Sequence, residues 1–254
     1  MKADFDLIVH KLGRELSHIN IYPIGDLHIG SPDFSEKAFR RWKDMVLADP
    51  NGYVMIVGDI MDMATKGSIT NIYEATMTPF EQREWVEKEF GEIRAKILGA
   101  VQGNHEYRAN KLLGICPMYD VLAKLDIGHL YRPNMAFIKV NLGERNKDRQ
   151  ASYTFVLAHG QAKGRTKQFP YVVDGMDIMI SGHFHTPENS IGNKIVIDSQ
   201  NEGVSTREFM HISVPSFTNY GGYAMKAMFM PQGNEKFPII NLSGDKKETK
   251  LMWT

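Results

Sequence analysis

Short apolar runs alternate with longer amphipathic stretches along this chain of 254 residues. Short runs bounded by glycine or polar residues are typical of buried strands. Eight runs predict strands: Ile19–Ile24, Tyr53–Val57, Ile97–Val101, Phe137–Val140, Tyr153–Leu157, Ile178–Ile180, Lys194–Ile197 and His211–Val214. Strands alternate with helices in the first half, whereas the second half is mostly strands. The pattern therefore predicts an α/β (α+β) fold in which mixed sheets are covered by helices.

Three stretches have helical character. Ser35–Leu47 carries an amphipathic stripe, and Pro117–Lys124 is a shorter helix candidate. Pro79–Lys96 begins with a proline that follows Thr78, the pattern of an N1 proline behind an N-cap. We expect one domain over residues 1–254, with residues from about 236 to 254 forming a polar C-terminal tail.

Composition excludes several functional classes. The chain is 43% hydrophobic and 24% charged, as ordinary globular proteins are. Its 30 Lys and Arg residues balance 30 Asp and Glu residues, so it lacks the overall positive field of a protein that coats nucleic acid or anionic membrane. The lone Cys116 cannot form an internal disulfide, and the apolar runs are far shorter than a membrane span of about 18 residues. We expect a cytoplasmic protein with no membrane partner.

Five of the predicted strands end where a glycine lies beside Asp, Asn or His. The five motifs are Gly25-Asp26-Leu27-His28, Gly58-Asp59-Ile60-Met61-Asp62, Gly103-Asn104-His105-Glu106, His159-Gly160 and Gly182-His183-Phe184-His185. Glycine permits sharp turns and close approach of a ligand, and open α/β sheets bind ligands beyond the carboxyl ends of their strands. A lone Asp or His after a strand is usually a turn or surface residue. Five of the nine histidines fall in these motifs, which favours one shared site.

The residue types in the motifs point to metal ions. Imidazoles and carboxylates without thiolates suit Mn, Fe, Zn, Co or Ni better than an iron–sulfur cluster or a Ca²⁺ cage. Four histidines, two aspartates and one asparagine are too many ligands for one ion but match two ions that share a carboxylate. Two ions roughly 3.5–4 Å apart can activate a water molecule and clamp a phosphoryl group. The remaining four histidines, expected to be ordinary surface or core residues, are His10, His18, His129 and His211.

The motifs D-x-H, G-D-x-x-D, G-N-H-E, H-G and G-H-x-H, in this order between Gly25 and His185, resemble the calcineurin-like metallophosphoesterase superfamily. The resemblance implies two packed mixed β-sheets flanked by helices in a four-layer sandwich. It also implies two divalent metal ions, with Mn²⁺ favoured and Fe or Zn²⁺ as alternatives. By resemblance, one ion would be bound by Asp26, His28, Asp59 and His185, and the other by Asp59, Asn104, His159 and His183.

The same resemblance implies catalytic roles. A hydroxide that bridges the two ions would attack phosphorus, and His105 would protonate the leaving oxygen. Asp62 stands where some members of the family carry a hydrogen-bond partner for that histidine, and an N-cap role for Asp62 is equally open. We expect Glu106 to be structural. Three cations are candidate phosphate contacts: Arg108, Lys163 and Arg165.

The choice of substrate stays open at this point. The first two motifs are similar to those of the SbcD-like DNA-repair nucleases, although that branch usually has Asp at the position of Glu106. Protein phosphatases carry Arg where this chain has Met63, which disfavours phosphoproteins. We expect a phosphodiesterase or nuclease that cleaves DNA or another nucleotide diester. A phosphomonoesterase or a small (cyclic) nucleotide phosphodiesterase is the alternative, and a non-catalytic interaction module is a remote one. A homodimer is compatible with the sequence.

Overall fold

The computed structural model describes residues 5–13, 15–66, 68, 72–144, 149–226, 228, 231 and 236–254. Its strands are β1 (Leu7–Lys11), β2 (His18–Ile24), β3 (Gly52–Ile56), β4 (Ile97–Val101), β5 (Tyr131–Arg132), β6 (Met135–Glu144), β7 (Arg149–Ala158), β8 (Ile178–Ser181), β9 (Glu188–Asp198), β10 (Gly203–Ser213), β11 (Pro238–Ser243) and β12 (Thr249–Trp253). Its helices are α1 (Glu36–Ala48), α2 (Pro79–Gly91), α3 (Asn104–Leu113), α4 (Pro117–Lys124), α5 (Lys163–Gln168) and α6 (Gly222–Lys226). Among the described residues, no helix is long and apolar enough to cross a bilayer.

The strands form two six-stranded mixed sheets. The first has the order β1-β6-β7-β8-β10-β9, and the second has the order β12-β11-β2-β3-β4-β5. In the second sheet, β2, β3, β4 and β5 are parallel, while β11 and β12 are antiparallel additions. The predicted α/β fold of two mixed sheets flanked by helices is confirmed.

A shared hydrophobic core joins the two sheets. Gly99 on β4 shows how closely they pack, because a Cβ atom at this position would lie 2.3 Å from Ile138 Cδ1 on β6. A side chain at residue 99 would displace the end of the Ile138 side chain, so the core between the sheets is tightly packed at this point. Hydrogen bonds from His159 to the Val57 carbonyl and from the His183 backbone to Asp26 hold the carboxyl ends of β3 and β2 close to those of β7 and β8.

The first two helices form where the sequence predicts them. Ser35 caps α1 by accepting a hydrogen bond from the backbone of Ala38 at 3.4 Å. Thr78 and Glu81 form a reciprocal capping box at the start of α2. Helix α2 ends at Gly91, before the predicted end at residue 96, and residues 94–96 form a separate 3₁₀ turn.

The prediction of a polar C-terminal tail is wrong. Residues 238–253 supply β11 and β12, and β11 pairs with β2. Ile240 and Leu242 are buried and alternate with half-buried residues, as expected for an antiparallel strand with one face on the core. Strand β9 is also longer than the predicted run, and α3 is not among the predicted helices.

Candidate metal centre

All seven predicted ligands lie close together at the carboxyl ends of strands from both sheets. Two groups of side chains have ligand atoms within 4.8 Å of one another: Asp26, His28 and His185, and Asp59, His159 and His183. Asn104 belongs beside the second group, since its Oδ1 lies 3.0 Å from His159 Nε2 and 2.9 Å from His183 Nδ1. A further overlapping group contains His28, Asp59 and His105.

The backbone is strained at most of these residues. The left-handed region, with positive φ, is uncommon for any residue that has a Cβ atom. Five candidate ligands adopt it, with φ between 51° and 76°: Asp26, His28, Asp59, His183 and His185. Strained conformations of this kind persist where the surrounding structure imposes them, and they cluster at functional sites.

Two motif glycines let the ligand loops touch. Gly58 has φ of 87°, and a Cβ atom there would lie 2.2 Å from the backbone nitrogen of Gly103. A Cβ atom at Gly103 would in turn lie 2.0 Å from Asp59 Oδ1. The loop after β3 therefore packs directly against the loop after β4, which brings Asp59 near Asn104.

His159 provides a test of whether the site suits a cation. Its Nδ1 donates to the Val57 carbonyl at 2.8 Å, so only Nε2 faces the site. Nε2 lies 3.0 Å from both Asp59 Oδ2 and Asn104 Oδ1, which are acceptors. Burial would lower the pKa of His159, but the Asp59 carboxylate outweighs burial and raises it to about 10. Asp59 therefore favours positive charge at Nε2, and an imidazole nitrogen, a carboxylate oxygen and an amide oxygen form a donor set that fits a divalent cation.

The other group has similar chemistry. His28 Nε2 and His185 Nε2 are 3.0 Å apart, and Asp26 Oδ1 lies 3.8 Å from the latter. Burial lowers the pKa of both imidazoles, that of His185 to about 4, so both rings are neutral at neutral pH. Two neutral imidazoles and a carboxylate are typical ligands of Mn, Fe or Zn.

His105 contacts the predicted partner Asp62. Its Nδ1 lies 3.0 Å from Asp62 Oδ1 and 2.9 Å from the carbonyl oxygen of the same residue. Burial opposes protonation of His105, but the charge of Asp59 and the hydrogen bond to Asp62 outweigh it and raise the pKa. No helix begins within the described residues 51–66, so Asp62 is not an N-cap.

Glu106 has a wider role than the sequence suggested. Its buried carboxylate accepts hydrogen bonds from the backbone of Asp59 at 3.0 Å, Met61 at 2.9 Å and Gly103 at 2.8 Å. At the start of α3, three residues after Gly103, Glu106 can reach back to the Gly103 N–H, and its position in the sequence predicts only this contact. The two long-range bonds, which tie the β3 loop to the β4 loop, have no signal in the sequence.

The predicted phosphate contacts differ in placement. Arg108 lies close enough to His105 to lower the pKa of that histidine, and its buried Nε has no hydrogen-bond partner in the described part of the chain. Lys163 instead pairs with Glu188 at 3.9 Å, and Arg165 is exposed on α5. Within the described residues, neither Lys163 nor Arg165 contacts a candidate ligand.

Comparisons with known proteins add distant similarities. No family model matches the sequence, and no curated protein matches it. Among solved structures, a metallophosphoesterase from Sphaerobacter thermophilus is 13% identical, with 93% of this chain and 88% of that chain covered and a TM-score of 0.43. A predicted phosphoesterase from Streptococcus pneumoniae is 12% identical, with 94% and 99% covered and a TM-score of 0.38. The anchor in the inner membrane complex of Plasmodium is 13% identical, with 93% and 84% covered and a TM-score of 0.48. Similarities this distant do not place the chain in a family. The side chains of the candidate site are therefore the evidence for its chemistry.

Proposed function

We propose that this protein is a two-metal phosphoesterase that acts on phosphodiesters of DNA or other nucleotides. The proposal rests on one observation. Nitrogen and oxygen ligand atoms converge in two adjoining groups, and the His105–Asp62 pair lies beside them. Convergent acceptors need cations, and a protonated imidazole beside two cations matches what phosphoester hydrolysis requires.

The ligand sets follow from the contacts. Asp26, His28 and His185 would hold one ion and His159, Asn104 and His183 the other, with Asp59 shared between them. We favour Mn²⁺, with Fe or Zn²⁺ as alternatives, because sites of imidazole and carboxylate accept several of these metals. When bound, such ions neutralise phosphoryl oxygens and lower the pKa of coordinated water.

His105 is the proton donor in this proposal. Asp62 binds Nδ1, which fixes the ring and leaves Nε2 to carry the proton toward a leaving oxygen. The raised pKa of His105 keeps that proton available at neutral pH. The side chain is 14% exposed, so a substrate can reach it from solvent. Proton donation of this kind contributes about 10²–10⁴-fold in rate, most for poor leaving groups.

The preference for a diester rests on the motif similarity to the SbcD-like nucleases and on Arg108 beside His105. One observation favours the alternative of a phosphomonoester or a small cyclic nucleotide. Glu188 pairs with both Lys163 and Lys167, which reduces the net charge of the three side chains to +1 and weakens their attraction for a long polyanion. Both substrate classes would use the same two ions and the same His105.

A substrate panel distinguishes a preference for diesters from a preference for monoesters. We expect the Mn²⁺-loaded protein to cleave a DNA oligomer and bis-p-nitrophenyl phosphate faster than p-nitrophenyl phosphate. Asp59→Ala should abolish both metal content and turnover. His105→Gln should retain metal and lose about 10²-fold or more of the rate on substrates with poor leaving groups. His129→Gln is the matched control, because His129 is exposed and belongs to neither ligand group.

The outcomes have distinct meanings. Faster cleavage of the monoester would contradict the diester preference and leave the two-metal site intact. A protein that binds no metal, or an Asp59→Ala variant with unchanged turnover, would contradict the proposed function itself.

A further inference from the structure

Helix α3 begins in the candidate metal centre and extends away from it. Its first residue, Asn104, places Oδ1 within 3.0 Å of nitrogen atoms of two other candidate ligands. Residues that follow at spacings of three, four and seven positions lie on the same face of a helix. In α3 these positions are occupied by Tyr107, Arg108 and Lys111. One face of α3 therefore connects the metal centre to an aromatic ring and two cations.

This face of α3 is turned away from the core. The core side of the helix is formed by Glu106 and Ala109, which are buried. Tyr107 is 52% exposed, and Lys111 is exposed as well. The Cα–Cβ bonds of a helix tilt toward its N-terminus, which in α3 is the end at the metal centre. A molecule bound at the centre would therefore meet these side chains.

Arg108 has a hydrogen-bond donor that is not satisfied. Its buried Nε has no partner in the described part of the chain, and its positive charge is close enough to His105 to lower the pKa of that histidine. A buried polar atom without a partner calls for an explanation, and a ligand oxygen would provide one. Arginine forms strong, often bidentate hydrogen bonds with phosphate. Arg108 is thus suited to bind a phosphate next to the group that reacts at His105.

The cations of α3 have no carboxylate partners. Glu106 is the only acidic residue of the helix, and its buried carboxylate faces the loop after β3. Within the described residues, neither Arg108 nor Lys111 forms an ion pair. Both lysines of α5, by contrast, pair with Glu188. The exposed face of α3 therefore offers two positive charges that a polyanion can use.

We propose that this face of α3 binds the leaving strand of a single-stranded DNA substrate, an inference that rests on the proposed function. Arg108 follows the proton donor His105 by about 4.5 Å along the helix axis and binds the phosphate next to the scissile one. Lys111 lies another three residues further and binds the phosphate after that. The exposed ring of Tyr107 stacks on a base. In a duplex the base faces are stacked on one another, so Tyr107 selects an unpaired strand.

Binding of fluorescein-labelled hexathymidylate to the metal-free protein in EDTA tests this assignment, by fluorescence anisotropy over a range of salt concentrations. Arg108→Gln and Lys111→Gln should each weaken binding and lower the slope of log Kd against log salt concentration by about 0.7, the contribution of one phosphate contact on a single strand. Tyr107→Leu should weaken binding about 5-fold or more and leave the slope unchanged. Arg94→Gln is the matched control and should change neither quantity, because Arg94 is exposed at the amino end of β4, opposite the metal centre.

Several results would overturn the proposal. A wild-type protein that does not bind hexathymidylate would do so, as would cation variants with the wild-type slope or a Tyr107→Leu variant with the wild-type affinity. Equal competition by a blunt-ended DNA duplex at the same nucleotide concentration would also contradict it. Circular dichroism checks that each variant is folded.

This measurement needs no metal ion, so its failure is distinct from failure of the proposed function. Mn²⁺-dependent cleavage of bis-p-nitrophenyl phosphate together with unchanged salt slopes would leave the two-metal phosphoesterase intact and contradict the role of α3. Strand binding with the expected slopes but without any Mn²⁺-dependent turnover would contradict the phosphoesterase and support strand binding by α3.

Discussion

Left-handed backbone costs about 1–2 kcal/mol at a residue with a Cβ atom, and the candidate ligands adopt it five times. Backbone hydrogen bonds between neighbouring loops impose these conformations. Asp26 donates to the Gly58 carbonyl and His28 to the Asp59 carbonyl, both at 3.0 Å. The loops after β2 and β3 thus fix each other, and a change in either loop should disturb ligands in both.

Glu106→Gln tests the positioning of the ligand loops. The carboxylate accepts three backbone hydrogen bonds, and an amide would turn its NH₂ group toward at least one of these donors. We expect affinity for Mn²⁺ to fall about 10–100-fold, as is usual when residues that support metal ligands are changed. Isothermal titration calorimetry measures this affinity. The exposed Glu84→Gln is the control, and equal affinity in the two variants would contradict the role assigned to Glu106.

Gly58→Ala tests the contact between the loops after β3 and β4. The new Cβ atom would lie 2.2 Å from Gly103 N, so the backbone must shift as well as tolerate a positive φ. Gly114→Ala is a matched control, because Gly114 also has positive φ but has no atom within 4 Å of the Cβ position. We expect a loss of about 1 kcal/mol for Gly114→Ala and a clearly larger loss for Gly58→Ala in urea unfolding. Equal losses would show that the close contact contributes nothing.

At the scale of elements, the sequence predicts strands better than it predicts what lies between and after them. The buried runs of β2, β3 and β4 are nearly continuous and apolar, so their positions and polar ends could be read directly. Helix α3 was missed because its first residue is the expected ligand Asn104 and because Leu112 and Leu113 are exposed, which blurs its amphipathic pattern. Strands β11 and β12 were missed because polar residues alternate with the buried ones.

The candidate site was predictable as a set of residues but not as a geometry. The motifs identify Asn104, His159 and His183 as ligand types, yet Asn104 is 55 residues from His159 and 79 from His183. Their contact depends on how two sheets pack, which local periodicity does not encode. The same holds for the bonds from Glu106 to the loop after β3.

A cluster of ion pairs joins α1 to α2, and its contribution to stability can be tested. Lys43 is 3% exposed and lies 2.6 Å from Glu89 Oε2, which also binds Arg40. Glu89→Gln would leave Lys43 buried with only the half-exposed Glu92 at 3.0 Å. We expect the free energy of unfolding to fall by about 1–3 kcal/mol, because the buried Lys43 ammonium loses its closest carboxylate and keeps only the pair with Glu92. Glu36→Gln, which removes an exposed pair with Arg40, should cost at most about 0.5 kcal/mol. Similar losses in urea unfolding would contradict this account.

For the whole molecule, the site lies where the two sheets meet. Asp26, Asp59 and Asn104 follow β2, β3 and β4 of the second sheet, whereas His159 and His183 follow β7 and β8 of the first. Two short contacts join the sheets there: His159 Nδ1 donates to the Val57 carbonyl at 2.8 Å, and the His183 backbone donates to Asp26 at 2.8 Å. Ligands drawn from both sheets make the site depend on the complete fold.

His211 couples stability of the fold to pH. Its side chain, on β10, is buried, and its Nε2 lies 2.8 Å from Ser181 Oγ on the neighbouring strand β8. Burial lowers the pKa of His211 to about 4; Glu188 opposes this shift and Lys167 reinforces it. Glu188, Lys163 and Lys167 are the charged groups that line the same small cavity. The neutral ring is therefore the form that the folded state accommodates.

The sign of the effect follows from the two pKa values. Between the unfolded pKa of about 6.5 and the folded pKa of about 4, the unfolded state binds more protons, so stability falls as pH decreases through this window. The loss reaches at most about 3 kcal/mol at the acid end. We expect His211→Gln to reduce the loss of unfolding free energy between pH of about 7 and about 5, and the exposed His129→Gln to leave it unchanged. The other groups titrate equally in each protein. The difference in pH dependence of the unfolding free energy between wild type and His211→Gln is therefore the contribution of His211. Parallel pH dependences for wild type and His211→Gln would show that His211 does not limit acid stability.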